Sequence, residues 1–323
     1  MDGSFNVMDS DTLTQRWEEK VLAAAFGIRK RVLEHTVKHN GGYLSQACSS
    51  SIILATLYLK LMNLGPSAGN PIPPKFESVP RPGSPKNYSG GVYNGLPAPD
   101  KDRFFLSPAH YALVLYAALI EAGRLAPEAL DDFNKDGGTV EMIGAEHSPG
   151  FEMMGGALAQ TLSQAAGIAM ARKRRGDSGY HWVFLSDGEF QEGQTWEAIQ
   201  TMSHYKIDNL TALVDVNCQQ CDGKMCDVMN VDPLEHRIEA FGGVVAVVDG
   251  HDPVAIVKAA NTSHMGKPLF VLCKTDPAFS MPILEGRRPK LHYVRFVSQA
   301  ERDIFAEFLS SYSLQKMSEE KPL

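Results

Sequence analysis

The sequence predicts a doubly wound α/β domain: a mostly parallel sheet with helices on both faces. Three observations carry this. Apolar runs at residues 183–185, 210–216, 243–248 and 268–274 have strand length and are near-continuous, as strands covered on both faces are. Segments with helical spacing separate them. The first two runs stop at polar turns, Ser186-Asp187-Gly188-Glu189 and Asn217. Strand–helix–strand units with short connections are right-handed and parallel. Both turns therefore fall at the carboxyl edge of the sheet, where open α/β sheets bind ligands. Asp187 and Asn217 can end neighbouring strands. A carboxylate, an amide and nearby backbone carbonyls are hard oxygen donors, suited to Mg²⁺ or Ca²⁺ carrying a diphosphate rather than to zinc. Alone, the D-G-E turn is more often an acidic helix cap, and Asn217 a turn residue.

The chain has 323 residues, 44% of them hydrophobic and 21% charged, ordinary for a folded domain and enough for one large or two small ones. The net charge of −7 shows no basic excess, which argues against nucleic acid. The acidic, polar N-terminus does not read as a signal peptide, and no apolar run reaches membrane-spanning length. Five cysteines, an odd number, point to a reducing cytoplasm. Cys218, Cys221 and Cys226 form C-x₂-C-x₄-C with His236 further on, which is incomplete for a structural zinc site. They read as small residues flanking a loop.

In chain order, residues 1–11 form a tail. Residues 12–39 are helical, with Trp17, Val21, Leu22, Ala25, Ile28, Val32 and Leu33 at three-and-four spacing, ended by Asn40-Gly41-Gly42. Residues 52–62 are apolar all round and predict a buried helix. Residues 65–99, rich in proline and glycine, read as a long loop, an insertion given some packing by Tyr88 and Tyr93; a lid and a plain surface excursion are equal expectations. An apolar helix over 111–122, a short helix over 127–133 and a loop over 144–150 with Glu146 and His147 follow. A small-residue helix ends in Arg172-Lys173-Arg174-Arg175, a basic run matched to the helix dipole. After the central stretch come helices at 233–241, 253–264 and 298–310 and a polar tail at 311–323.

Residues 183–223 resemble the thiamine diphosphate motif of transketolases, G-D-G-E-x-x-E-G-x-x-W-E-A followed by D-x-N, with Ser186 in place of the first glycine. The resemblance runs over about residues 12–300. Gly41-Gly42-Tyr43-Leu44 through Tyr58 is similar to the G-G-H-L-G-G-S-L-S entry, with Tyr43 for the histidine and Ser45 and Gln46 for glycines. Residues 100–110, DKDRFFLSPAH, resemble D-R-D-R-F-x-L-S-K-G-H, with Pro108-Ala109 for Lys-Gly. Residues 148–152 and 155–160 resemble T-P-G-V-E and T-G-S-L-G-Q, 248–252 V-D-G-H-D, and 289–292 the approach to W-H-G, with Tyr293 for the glycine.

The resemblance implies a thiamine diphosphate-binding fold of the diphosphate-binding (PP) type over residues 12–310, holding thiamine diphosphate and Mg²⁺ or Ca²⁺. Asp187, Asn217 and the Gln219 carbonyl would ligate the metal. Gly188 and Glu189 would offer backbone N–H groups. The backbone at Gly156, Ala157 and Leu158 would lie against the cofactor. His110 and His292 would contact the cofactor and handle protons, Glu192 would join an acidic interface network, and Tyr43 and His147 would be substrate contacts. The implied reaction is transfer of a two-carbon ketol unit. A separate C-terminal-type subunit would supply the pyrimidine-binding domain, the expected assembly being a heterotetramer of two chains of each, because the chain stops where that domain should begin. Two alternatives stand beside this: decarboxylation of a 2-oxo acid such as pyruvate with acyl transfer, and a non-catalytic partner-binding homologue. A Rossmann dehydrogenase is disfavoured, since no G-x-G-x-x-G follows a strand.

Overall fold

The computed structural model describes residues 10–78 and 89–313, with side chains from Trp17 onward. The expectations for the extreme tails, for residues 79–88 and for Tyr88 lie outside the described residues. Helices α1 (Ser10–His39), α2 (Leu44–Thr56) and α3 (Ala112–Glu121) flank strand β1 (Arg103–Leu106) in sequence. Then come α4 (Gln160–Arg175), β2 (His181–Ser186), α5 (Gly193–His204) and β3 (Leu210–Val216). A hairpin of β4 (Gln219–Gln220) and β5 (Gly223–Lys224) leads to α6 (Met225–Val228) and α7 (Leu234–Ala240). Strand β6 (Val244–Asp249), α8 (Pro253–Ala260), β7 (Leu269–Lys274) and α9 (Gln299–Ser311) complete the order.

The main sheet has the order β1-β2-β3-β7-β6 and every pairing in it is parallel. Side chains of a strand alternate between faces, and here the alternation divides the core in two. Phe104, Phe184, Leu213, Leu269 and Val271 join the core under α1, α2, α3 and α8. Phe105, Val183, Leu185, Val214 and Leu272 join the core under α4, α5 and α7. Every residue of β1, β2 and β3 is buried. This is why their sequences read as unbroken apolar runs. Each fully buried aliphatic side chain contributes about 1.5–3 kcal/mol.

Three elements differ from expectation. Helix α2 starts at Leu44 rather than residue 52, because Ser45, Gln46, Ser49, Ser50 and Ser51 are buried helix residues with partners. Ser51 Oγ, for example, accepts from the fully buried Arg29 at 2.6 Å. Strand β1, only four residues of a segment expected to lead into a helix, is the fifth strand of the sheet. Helix α8 stops at Ala260, ahead of the turn-forming Asn261-Thr262-Ser263, and His264 instead bonds Lys267 O and meets Tyr180. In the 65–99 segment, Gly90–Asn94 forms a 3₁₀ turn and Tyr93 is buried. Hydrogen bonds pin the segment to the 137–150 loop: Phe76 N to Gly137 O, Gly90 N to Glu146 O and Gly150 N to Gly90 O.

Candidate active site

Register puts the two polar turns side by side. Ser186 of β2 pairs with Asp215 of β3, so Asp187 and Asn217 follow on adjacent strands at the carboxyl edge. Cys218 N donates to Asp187 Oδ2 at 2.7 Å, tying the two turns together. The other oxygen, Asp187 Oδ1, is buried and has no hydrogen-bond partner among the described residues, and neither has Gln219 Oε1. Burial, then the charge of Asp215, pushes the Asp187 carboxyl up to about 8. A buried carboxylate left this way is costly. A divalent cation offered an unpaired carboxylate oxygen, the Asn217 carbonyl and oxygens of Gln219 fits the donor set. Among the described residues no group of three or more His, Cys, Asp or Glu is placed to hold a metal, and Cys218, Cys221 and Cys226 are exposed free thiols.

A cavity of about 220 Å³ opens against these turns, lined among others by Gln46, His110, Leu158, Gly188, Asn217 and His292. His110 sits on the 3₁₀ turn Ala109–Tyr111 just beyond β1. Its ring centroid is 4.8 Å from that of His292, and the Tyr43 ring lies 5.8 Å from His110 and 5.7 Å from His292. Burial, then His292, lowers His110 to about 3; burial also lowers His292. Both are neutral imidazoles at physiological pH. The start of α2 holds the second histidine: Ser45 Oγ donates to Leu291 O at 2.7 Å and Gln46 Nε2 to His292 O at 3.0 Å. The two positions that replace glycines in the family resemblance thus anchor a histidine of the cavity lining.

The structure adds residues that the sequence pattern leaves unassigned. Asp215, fully buried mid-sheet, accepts from Ser49 Oγ, Thr275 Oγ1 and Tyr111 OH, the last at 2.7 Å. Asn217 Nδ2 donates to Tyr111 OH at 3.0 Å and Asp215 Oδ2 at 3.1 Å. With its NH₂ group held there, the Asn217 carbonyl oxygen is the end left for the turn, where it accepts from Gln219 N at 2.9 Å. The available signal was a lone carboxylate inside an apolar strand, a position charged residues almost never take unpaired.

Glu189, for which the resemblance implies only a backbone N–H, has a bonded side chain. Its fully buried carboxylate accepts from Ser107 Oγ, Ala159 N (3.0 Å) and Ser186 N (2.9 Å), joining the three loops that frame the cavity. Glu189→Ala strands three donors and is expected to cost about 2–4 kcal/mol of stability, with Glu189→Gln costing less. Denaturant midpoints at constant slope measure it; a loss under about 0.5 kcal/mol, the range of a plain surface substitution, counts against the clamp.

The remaining candidates are more scattered. Leu158 reaches the cavity, while Gly156 and Ala157 beside it are exposed, Gly156 at φ +102°. Glu192 is outside the cavity lining. His147 is not brought to the cavity: it is buried against Phe76, with Nε2 2.9 Å from Glu141 Oε2. The 65–99 segment lends no described residue to the lining.

Fold and site together define a parallel α/β domain with a cavity at the carboxyl edge of its sheet. The family model described as "Transketolase, thiamine diphosphate binding domain" matches residues 96–292. A putative uncharacterized transketolase family protein of Sinorhizobium fredii is 34% identical, over 84% of this chain and 89% of that protein. The 6-deoxy-6-sulfo-D-fructose transketolase subunit SqwG of a Clostridium species is 31% identical, over 80% of this chain and 86% of that one. An apulose-4-phosphate transketolase subunit of Actinobacillus succinogenes is 30% identical, over 82% and 87%. The crystal structure of Campylobacter jejuni transketolase superposes with a TM-score of 0.69 at 21% identity, covering 94% of this chain and 49% of that one, a likeness of fold. The chain belongs to the transketolase family and is of its thiamine diphosphate-binding type.

Proposed function

We propose that the chain is the diphosphate-binding subunit of a two-component transketolase-like enzyme that moves a two-carbon ketol unit from a ketose donor to an aldehyde acceptor. The observation that carries it is Asp187 Oδ1, buried and without a hydrogen-bond partner among the described residues, in the turn whose neighbours Ser186, Gly188, Asn217 and Gln219 line a cavity shared with two neutral histidines. The relatives named as transketolase subunits are matched over most of their length, which supports a separate subunit supplying the pyrimidine-binding side; the assembly proposed is a heterotetramer of two chains of each. Five free cysteines fit a cytoplasmic setting; among the described residues no helix is long and apolar enough to cross a membrane.

Asp187, Asn217 and Gln219 hold Mg²⁺, and Gly188 and Glu189 present N–H groups at the start of the following turn. Bound thiamine diphosphate supplies the chemistry that breaks a carbon–carbon bond beside a ketone. The chain's residues bind, orient and move protons. Ketol transfer takes one proton off the hydroxyl of the departing aldose and puts one on the new alkoxide, and neutral His110 and His292 are placed for both. Tyr43 orients substrate hydroxyls beside them. Glu192, outside the cavity, belongs to the subunit interface, and Leu158 presents its backbone to the cofactor.

The test is co-expression with the complementary pyrimidine-binding subunit, then assay of the purified pair with Mg²⁺ and thiamine diphosphate. Turnover of a ketose phosphate with an aldose acceptor is expected. Release of carbon dioxide from pyruvate without ketol transfer overturns the reading in favour of 2-oxo acid chemistry, and cofactor binding without any turnover favours a non-catalytic homologue.

A further inference from the structure

Gln46 lines the cavity beside His292 and is buried, with 3% of its surface exposed. The family resemblance has glycine at this position, so it gives the side chain no task. Chemistry fixes which end of the amide is which. Gln46 Nε2 lies 3.0 Å from His292 O, a carbonyl that only accepts, so the NH₂ group must face it. At the other end, the Ser45 hydroxyl donates to Gln46 Oε1 at 3.0 Å, sharing its proton with Leu291 O. Turning the amide round would set two acceptors against each other at His292 O. The second hydrogen of the NH₂ group is then the one near His292 Nδ1, which is 3.5 Å from Nε2 of Gln46. The Tyr43 ring also packs against the imidazole, 5.7 Å away and at 87° to it.

We propose that Gln46 is a positioning residue that holds His292 in the tautomer with its proton on Nε2, making His292 a hydrogen-bond donor to the substrate and leaving His110 as the proton acceptor. The proposal rests on the ketol-transfer reading and divides the work of its two histidines. A neutral imidazole carries one proton, on Nδ1 or on Nε2. A proton on Nδ1 would set an N–H against the N–H of Gln46 in a buried place, two donors with no acceptor between them. A bare Nδ1 accepts instead. At 3.5 Å the contact is long. What decides the tautomer is that the amide, tied down by His292 O and Ser45 Oγ, cannot turn an acceptor toward Nδ1. Burial keeps the ring neutral, outweighing the charge of Asp222. Among the described residues no other side chain bonds either ring nitrogen. The Nε2 proton is therefore the one free for the cavity that the ring lines. In the reaction, His110 takes the hydroxyl proton of the departing aldose as the carbon–carbon bond breaks, and returns it to the alkoxide formed when the new bond closes. His292 keeps its proton throughout and donates a hydrogen bond to the substrate oxygen on which charge gathers.

The test reads the proton directly. The full chain is labelled with ¹⁵N-histidine, and long-range nitrogen–proton NMR spectra are recorded at about pH 8, well above the ordinary histidine value of about 6.5. They show which nitrogen of each ring is protonated, and the signals lost in His292→Gln identify residue 292. In the parent, Nδ1 of His292 is expected bare and Nε2 protonated. Gln46→Glu turns the donor into an acceptor at the same reach, so a proton should appear on Nδ1. Gln46→Met keeps the length without a donor, and both tautomers should be populated. A side chain that only fills space would not choose between the nitrogens. A parent with its proton on Nδ1, or the parent's tautomer kept in both variants, overturns the proposal. Should neither variant fold, the parent spectrum decides. In the assembled pair with Mg²⁺ and thiamine diphosphate, kcat for ketol transfer is expected to fall about tenfold in Gln46→Glu, the worth of one hydrogen bond to a neutral group. A proton moved to Nδ1 with kcat unchanged overturns the donor role. A parent pair that transfers no ketol unit, with the proton on Nε2 as expected, sinks the functional reading and upholds the tautomer assignment.

Discussion

Asp187→Ala in the assembled pair is expected to weaken Mg²⁺-dependent thiamine diphosphate binding by roughly 100-fold or more, since even residues that only support a metal ligand are worth about 10–100-fold. The cause is specific. Asp187 is 2% exposed, one oxygen is spent on Cys218 N, and the other has no partner among the described residues. Isothermal titration of cofactor at fixed Mg²⁺ measures the loss, and unchanged affinity would show that the metal is held elsewhere. Asp187→Asn gives the complementary sign. The folded carboxyl lies at about 8, above its ordinary value of 3.8, because burial and Asp215 disfavour its charge. Its stabilising, protonated form is fully present below the ordinary value and is lost as pH rises through about 8. Without metal, Asp187→Asn should therefore unfold at a higher temperature than the parent at pH 9, and its advantage should shrink as pH falls toward the ordinary carboxyl value. With Mg²⁺ the parent should gain the advantage, and its metal affinity should rise with pH up to about 8 as the ion displaces the proton. A parent protein whose Mg²⁺ affinity is flat between pH 6 and 8 would contradict this account.

The parts of this fold that followed local rules were legible from residues. Leu210–Val216 is buried on both faces, so it reads as one apolar run, and its strand has those bounds. The edge position of Asp187 and Asn217 followed from the handedness of the connection. What escaped was polar and buried. The first two turns of α2 carry Ser45, Gln46, Ser49 and Ser50, which look like loop residues until their partners appear: Leu291 O, His292 O, Asp215 and the carbonyl of Gln46. Those partners are 246 and 166 residues away for Ser45 and Ser49, beyond any window of sequence pattern. Asp215 escaped for the same reason, since its four partners come from α2, the His110 turn, the Asn217 turn and the residue after β7. His147, which the resemblance implies as a substrate contact, lies outside the cavity lining, where Glu141 and Phe76 decide the place of its ring. A hydrophobic period reports which face is buried; it carries no trace of a hydrogen-bond network assembled from four elements.

His110→Ala should lower kcat/KM for ketol transfer by about 10²–10⁴-fold, the usual worth of a placed proton-transfer group, while cofactor affinity changes far less than in Asp187→Ala. The ring lines the cavity, 4.8 Å from His292 and 5.8 Å from Tyr43, and the following residue, Tyr111, bonds to Asp215 and receives the Asn217 amide. His110 thus stands one residue from the network that orients a proposed metal ligand, so cofactor and proton handling share one short turn. Its titration predicts a further signature. Burial and the neighbouring His292 take His110 down to about 3, so between pH 5 and 8 it stays neutral and its nitrogens keep one donor and one acceptor. The pH profile of kcat/KM should then show no acid limb from this residue in that range, and His110→Asn, which retains a donor and an acceptor, should recover part of the rate lost in His110→Ala. An acid limb near 6.5 in the parent that disappears in His110→Asn would mean that the ring is charged in the working assembly. The partner subunit would then have to supply a carboxylate strong enough to offset its burial.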